Sequence, residues 1–128
     1  DGRFKDFWKS KKYQNIRNSI KYDLEGQNKG MTPMQVLLGS LMGCMSIDII
    51  LVLKKQKLSP QQYCVEASTK KRDAVPSPYE AIHFDIRIDQ EIDQKRIHRA
   101  VSLSLDKYCS VRSCLKEDID ITFEIHPV

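Results

Sequence analysis

Two cysteines stand in sequence contexts that could support thiol chemistry. Cys44 lies in an almost wholly apolar stretch, residues 33–53, whose single formal charge is Asp48. Cys109 lies in the segment 107–111, where one predicted helix ends and another begins. A cysteine thiolate is a nucleophile, and peroxide oxidises it to a sulfenic acid that condenses with a second thiol. If the two thiols come within reach of each other, the pair indicates peroxide reduction.

A second interpretation of Cys44 stays open at this point. Free cysteine is among the most buried residue types and often acts as a small hydrophobe, and helix periodicity alone favours that structural role. Cys44 lies near the middle of its predicted helix, so it gains little from the helix dipole. Ser40 and Asp48 share its face at i−4 and i+4. Ser40 could donate a hydrogen bond to the sulfur, whereas an ionised Asp48 would oppose a thiolate.

The remaining cysteines and the histidines predict no metal site and no further role. Cys64 and Cys114 are expected to be structural core residues. Structural zinc is usually held by close cysteine pairs, which this chain lacks. The three histidines lie on polar faces without the spacing of metal ligands: His83, His98 and His126. We therefore expect no metal and no cofactor.

Length and cysteine usage indicate a single domain in a reducing compartment. A chain of 128 residues is long enough to bury a substantial core. Its four cysteines form no C-x-x-C pair, and a large core makes a disulfide scaffold unnecessary. No charged and apolar leader opens the sequence. We expect a cytoplasmic protein.

The net charge of +4 is concentrated near the N-terminus. Residues 1–30 hold eight Lys and Arg against four Asp and Glu, whereas residues 31–128 hold thirteen of each kind. Such an excess could bind anions or nucleic acid, but no nucleic-acid motif accompanies it. We interpret it as the solvated side of N-terminal strands within residues 1–30, and we expect no nucleic-acid partner.

A long helix follows these strands. Thr32 and Pro33 suit the N-cap and the first helical position, and the helix should span about residues 32–57, ending in three lysines before Ser59-Pro60. Its length would suit a membrane span. However, Asp48 within a span would cost about 2.5–3.5 kcal/mol, and a helix that is apolar all round is also typical of one enclosed by protein. We predict a buried helix and no membrane.

The rest of the chain, residues 61–128, predicts strands and a second helix. Alternation of apolar and polar residues marks strands at 63–68, 82–89 and 119–126, and a helical pattern covers about residues 93–107. A short helix is expected around 111–116. This order, with antiparallel connections, predicts the α+β class, with an antiparallel sheet packed on the long buried helix.

Three segments of this sequence resemble the OsmC/Ohr family of osmotically induced and organic-hydroperoxide-resistance proteins. They are residues 33–53, Arg99-Ala100-Val101-Ser102-Leu103-Ser104 and Lys107-Tyr108-Cys109-Ser110-Val111. The resemblance covers roughly residues 20–128 and is greatest to the OsmC-like branch, whose members mostly lack an assigned function. It implies that residues 1–128 form one OsmC-like domain and that two copies form an intertwined homodimer.

The resemblance also implies a mechanism and its site residues. By analogy Cys44 is the peroxidatic thiol and Cys109 the resolving thiol of a peroxidase that reduces organic hydroperoxides, an antioxidant of the oxidative stress response. An external dithiol would reduce the resulting disulfide.

Two positions depart from the peroxidase pattern. Gln35 stands where those members carry a glutamate that orients a thiolate-stabilising arginine, and Arg17 is the nearest candidate for that arginine. The departure leaves a second hypothesis open. An OsmC-like protein without catalysis could bind a small hydrophobic ligand at the dimer interface.

Overall fold

A computed structural model describes residues 30–128, which form helices and a three-stranded sheet. The predicted N-terminal strands precede these residues, so they lie outside the part described. The elements in chain order are α1 (Pro33–Lys55), β1 (Tyr63–Lys71), β2 (Tyr79–Ile88), α2 (Gln94–Leu103), a π-helical turn (Ser104–Tyr108), α3 (Ser110–Cys114) and β3 (Asp120–Pro127). The α+β class predicted from the sequence is confirmed.

Local sequence signals define both ends of α1. Thr32 caps the helix, because its hydroxyl accepts a hydrogen bond from the Gln35 N–H at 3.2 Å while Gln35 Oε1 accepts from the Thr32 N–H at 3.0 Å. This reciprocal arrangement is a capping box. At the other end Lys57 has a φ of 63°, and the Leu58 N–H donates to the Leu53 carbonyl at 2.9 Å. This Schellman-type turn ends the helix at Lys55, two residues before the predicted end.

The sheet corrects one sequence-based prediction, because it is mixed rather than antiparallel. The strand order is β1-β2-β3. β1 and β2 pair antiparallel, whereas β2 and β3 pair parallel. The physical reason is the connection: residues 89–119 contain α2, the π-helical turn and α3, and parallel neighbours need a long crossover of this kind. Alternation along each strand is the same for both pairings, so it did not distinguish them.

The core lies between one face of the sheet and α1. Alternate residues of β2 are fully buried, namely Ile82, Phe84, Ile86 and Ile88, and so are Leu41, Met45, Ile49 and Leu53 on α1. These positions follow the two-residue period of a strand and the 3.6-residue period of a helix. Among the described helices, α1 alone is long and apolar enough to cross a membrane. Its packing into this core indicates a helix of the folded domain and not a membrane location.

Another face of α1 remains exposed although it is apolar. Leu37, Ile47 and Leu51 are 36%, 48% and 52% exposed, and the half-buried Cys44 lies between them along the helix. We call these four residues the α1 stripe. Positions 37, 44 and 51 are seven residues apart, and 47 is four residues before 51, so the stripe follows one side of the helix.

The second predicted helix is confirmed with a change of geometry at its end. Asp93 caps α2, because its side chain accepts a hydrogen bond from the Lys95 N–H. The regular helix ends at Leu103, and the chain widens into the π-helical turn. The Cys109 N–H then reaches back five residues to the Ser104 carbonyl at 2.7 Å. π-Helical turns occur frequently at functional sites, and this one delivers Cys109 to α1.

Candidate functional site

Three chemically reactive side chains converge where the π-helical turn meets α1. The sulfur atoms of Cys44 and Cys109 and a carboxylate oxygen of Asp48 all lie within 4.8 Å of one another. Both cysteines are free thiols. Cys44 and Asp48 are one helical turn apart on α1, so they share a face, and Cys109 comes from the residue that follows the π-helical turn. The fold thus brings together two thiols that are 65 positions apart in the sequence.

The two thiols differ in their surroundings. Cys44 is half-buried, whereas Cys109 is only 4% exposed. Burial raises the pKa of Cys109 to about 11, and the neighbouring Cys44 thiol acts in the same direction. The Arg112 N–H, which donates to the Cys109 sulfur at 3.4 Å, opposes this shift only in part. Cys109 is therefore a protonated thiol at neutral pH.

Ser104 holds this site together from the π-helical turn. Its buried hydroxyl lies 3.1 Å from Asp48 Oδ2 and 3.3 Å from the Met45 carbonyl oxygen, so its single proton is shared between two acceptors on α1. Ser104 was not among the site residues predicted from the sequence. The signal was present, because Ser104 continues the buried face of α2 formed by Ile97, Ala100 and Val101, and a polar residue on such a face needs a buried partner.

Among the other predicted site residues, Ser40 and Gln35 make hydrogen bonds at other places on α1. Ser40 donates to the Val36 carbonyl at 3.0 Å, so its hydroxyl is bonded to the backbone of its own helix. The side-chain oxygen of Gln35 accepts from Thr32 in the capping box. Arg17 lies outside the described residues. The thiolate-supporting role of Gln35 and Arg17 stays a prediction.

The other two cysteines lie in different environments. Cys64 on β1 is buried, which agrees with a structural role, but Cys114 is exposed. The expectation that Cys114 belongs to the core was wrong. Its helix, α3, has five residues and no buried member, so it lies on the surface.

A cavity of about 530 Å³ opens beside Cys109. Its volume is in the range of small-molecule sites. The apolar part of its lining consists of Leu105, Leu115, Ile119, Ile121 and Phe123. Lys107 and Arg112 contribute positive charge to the lining, and Asp106 and Glu117 contribute negative charge. The Arg112 guanidinium donates to the carbonyls of Lys116 and Glu117 at 2.9 and 3.4 Å. Cys44 is not among the residues that line this cavity; it is half-buried and lies within the α1 stripe.

This chain is similar to known proteins in family model, in sequence and in fold. The model of a family described as OsmC-like protein matches residues 26–124. Protein YhfA of Escherichia coli K12 is 30% identical over 107 residues, which are 82% of this chain and 79% of YhfA. The crystal structure of a hypothetical protein from Aquifex aeolicus superimposes with a TM-score of 0.69 at 29% identity, covering 78% of this chain and 77% of that one. An organic hydroperoxide resistance protein from Legionella pneumophila has a TM-score of 0.64 at 15% identity, covering 82% and 75%, so this last likeness is one of fold alone.

Proposed function

The chain belongs to the OsmC-like family, and on that premise we propose that it reduces organic hydroperoxides through Cys44 and Cys109. Membership confirms the resemblance seen in the sequence. One observation supports the proposal above the others: the two sulfurs lie within 4.8 Å of each other and of Asp48. A disulfide needs an S–S distance of about 2.05 Å, so the two sulfurs would have to approach further during the proposed reaction.

The proposed reaction has three steps. The Cys44 thiolate attacks the terminal peroxide oxygen, an S–O bond forms as the O–O bond breaks, and the alcohol leaves after taking up a proton. Cys109 then attacks the sulfenic sulfur of Cys44, so that a disulfide forms and water is released. An external dithiol reduces the disulfide by thiol exchange and is itself oxidised. Two electrons pass from the dithiol to the peroxide in each cycle.

Asp48 transfers a proton in the second step of the proposed reaction, disulfide formation. Cys109 must lose its proton as it attacks, and burial keeps that proton on the sulfur. The Asp48 carboxylate lies within 4.8 Å of the Cys109 sulfur, and Ser104 holds it there. We assign Asp48 the role of accepting this proton and passing it to the departing hydroxide. The first step would also use a cation or hydrogen-bond donor near the Cys44 sulfur, which is the role predicted for Arg17.

The surroundings of the two thiols support a class of substrate and a cellular compartment. Cys44 lies among the apolar residues of the α1 stripe, which favours an organic hydroperoxide over hydrogen peroxide because apolar surface contributes to binding when water leaves it. Two free thiols stay reduced in the cytoplasm, and we propose that compartment. We also propose a homodimer in which the α1 stripe is covered by a second copy.

Turnover of cumene hydroperoxide with a dithiol reductant tests the proposal. Cys44→Ser is expected to abolish turnover, whereas Cys109→Ser should retain one fast sulfenic-acid-forming reaction but lose disulfide formation. Cys114→Ser is the matched control, because that thiol is exposed and away from the site, and it should keep the wild-type rate. Wild-type turnover no faster than that of Cys44→Ser would refute the peroxidase.

A second function, hydrophobic ligand binding, is supported by a separate observation, the cavity beside Cys109. Its lining combines apolar side chains, among them Ile121 and Phe123, with charged ones, and its volume of about 530 Å³ can hold a small molecule with an apolar part. Titration of the reduced Cys44→Ser protein with a fluorescent fatty acid distinguishes the two functions. Tight binding that Ile121→Asp abolishes, together with absent peroxidase turnover, would favour the binding protein. Absent binding would remove that candidate.

A further inference from the structure

Four metal-ligating side chains meet on the outer face of the sheet, opposite the face that packs on α1. β2 contributes His83 and Asp85, and β3 contributes Glu124 and His126. The parallel register places Asp85 directly opposite Glu124, with His83 one row before them and His126 one row after. Residues i and i+2 of a strand share a face, so the sequences His-x-Asp and Glu-x-His converge across one pair of strands.

The distances between these groups match the ligand shell of a small cation. His83 Nε2 lies 3.4 Å and His126 Nε2 2.8 Å from the same oxygen, Asp85 Oδ1. His126 Nε2 is also 3.5 Å from Glu124 Oε2, and ligand atoms of His83, Asp85 and Glu124 lie mutually within 4.8 Å. Tetrahedral zinc with bonds of about 2.0–2.1 Å holds neighbouring ligand atoms about 3.3–3.4 Å apart. His83, Asp85 and Glu124 already form a mutually close set, and His126, which is close to Asp85 and Glu124, would turn towards the same ion.

A second contact of His83, with Thr122, suits a metal ligand. Its Nδ1 lies 2.7 Å from Thr122 Oγ1. When Nδ1 donates this hydrogen bond, the proton is fixed on that nitrogen and the Nε2 lone pair faces Asp85. Metal-bound histidines almost always carry a partner of this kind on their other nitrogen. Thr122 is thus the outer-shell residue of the arrangement.

The local charge also favours a cation. Asp85 and Glu124 each offer a carboxylate, and Asp85 Oδ1 is the atom on which both imidazoles converge. Arg87, the basic residue of β2 on this face, pairs with Glu66 on β1 at 3.0 Å. The Asp85 and Glu124 carboxylates therefore share this face with the imidazoles of His83 and His126. Ion pairs between such partly exposed groups contribute little stability, so stability alone does not explain why all four converge.

We propose that His83, Asp85, Glu124 and His126 bind one Zn²⁺ per chain and so tie β3 to β2. Imidazole and carboxylate ligands suit this ion. The site uses neither Cys44 nor Cys109, and the sheet separates it from the core face. It does not depend on the peroxidase proposal.

Calorimetric titration with Zn²⁺ tests the proposal in a full-length chain whose two site thiols are removed by Cys44→Ser and Cys109→Ser. We expect one ion per chain and at least a tenfold loss of affinity in His83→Ala and in Glu124→Gln. His98→Ala is the matched control, because this exposed histidine contacts Phe123 outside the cluster, with 5.0 Å between the centroids of two tilted rings. The variant should bind Zn²⁺ as its parent does.

Nitrogen chemical shifts of the imidazoles locate the ion without any substitution in the cluster. Addition of Zn²⁺ should shift the Nε2 resonances of His83 and His126 and leave those of His98 unchanged. Two results would overturn the site: no binding at millimolar Zn²⁺, or full binding in the double variant His83→Ala/His126→Ala. Circular dichroism of each variant establishes that it is folded before titration.

Discussion

Cys109 is the residue whose chemistry depends most on its location. Burial and the nearby Cys44 thiol raise its pKa to about 11, so it remains a protonated thiol under physiological conditions. A thiol of this kind is inert to peroxide, which suits a resolving residue that should react only after Cys44 is oxidised. The two cysteines thereby acquire different roles from different environments, although their side chains are identical.

The raised pKa of Cys109 predicts a loss of stability at alkaline pH. A thiol whose folded-state pKa exceeds its unfolded value, about 8.5, stabilises the folded state fully below that value, and the contribution is lost as the pH rises towards about 11. We expect reduced wild-type protein to lose stability over this window more steeply than Cys109→Ser, measured by urea unfolding. Cys114→Ser should follow the wild type. Parallel curves for wild type and Cys109→Ser would contradict the assignment.

Two elements, α1 and the π-helical turn, together build the candidate site. α1 supplies Cys44 and Asp48 from one face, and the turn supplies Ser104 and leads to Cys109. The extra width of the turn lets the Cys109 N–H bond to the Ser104 carbonyl. The Ser104 side chain at the same time contacts Asp48 and the Met45 carbonyl. Ser104 thus bonds to Cys109 through its backbone and to α1 through its side chain.

Ser104→Ala tests this connection. Loss of the buried hydroxyl leaves the Asp48 carboxylate without that partner and should cost about 1–3 kcal/mol in the free energy of unfolding. Disulfide formation after a single peroxide equivalent should also slow, because Asp48 is less well positioned, and stopped-flow measurement follows that step. Ser113→Ala removes an exposed hydroxyl and should change neither quantity. An unaltered rate of disulfide formation in Ser104→Ala would separate Asp48 from the resolving step.

At the scale of the whole molecule, the α1 stripe is the part of the described surface on which the proposed second copy would pack. Leu37, Ile47 and Leu51 are exposed on a helix that is apolar all round, and such helices are normally enclosed by protein. Contiguous exposed apolar surface is common where a protein contacts a partner, and this supports the proposed dimer. Cys44 lies within the stripe, so the proposed second copy would also cover the approach to the reactive thiol.

Charge introduced on the stripe should prevent dimer formation. The double variant Ile47→Glu/Leu51→Glu is expected to have a solution mass near the chain mass of 14.9 kDa, whereas the wild type should have about twice that mass. Light scattering after size-exclusion chromatography measures both. Val75→Glu is the control, because Val75 is fully exposed and outside the stripe, and it should behave as the wild type. A monomeric wild-type protein would refute the dimer.

The amino-acid sequence by itself determined the local elements. Thr32 and Pro33 predicted the start of α1, and alternation of apolar and polar residues predicted β2 and β3. Cys44 and Cys109 were identified from the residues around them. These signals are local, since capping and periodicity involve residues only a few positions apart.

Only the tertiary structure decided the rest. The parallel pairing of β2 with β3, the approach of Cys109 to Cys44 and Asp48, and the convergence of His83 and His126 on Asp85 all join distant parts of the chain. The spacing of histidines in the sequence concealed the last of these, because its residues come from two strands that are more than thirty positions apart. Such contacts depend on which elements pack together, and neither local propensity nor periodicity carries that information.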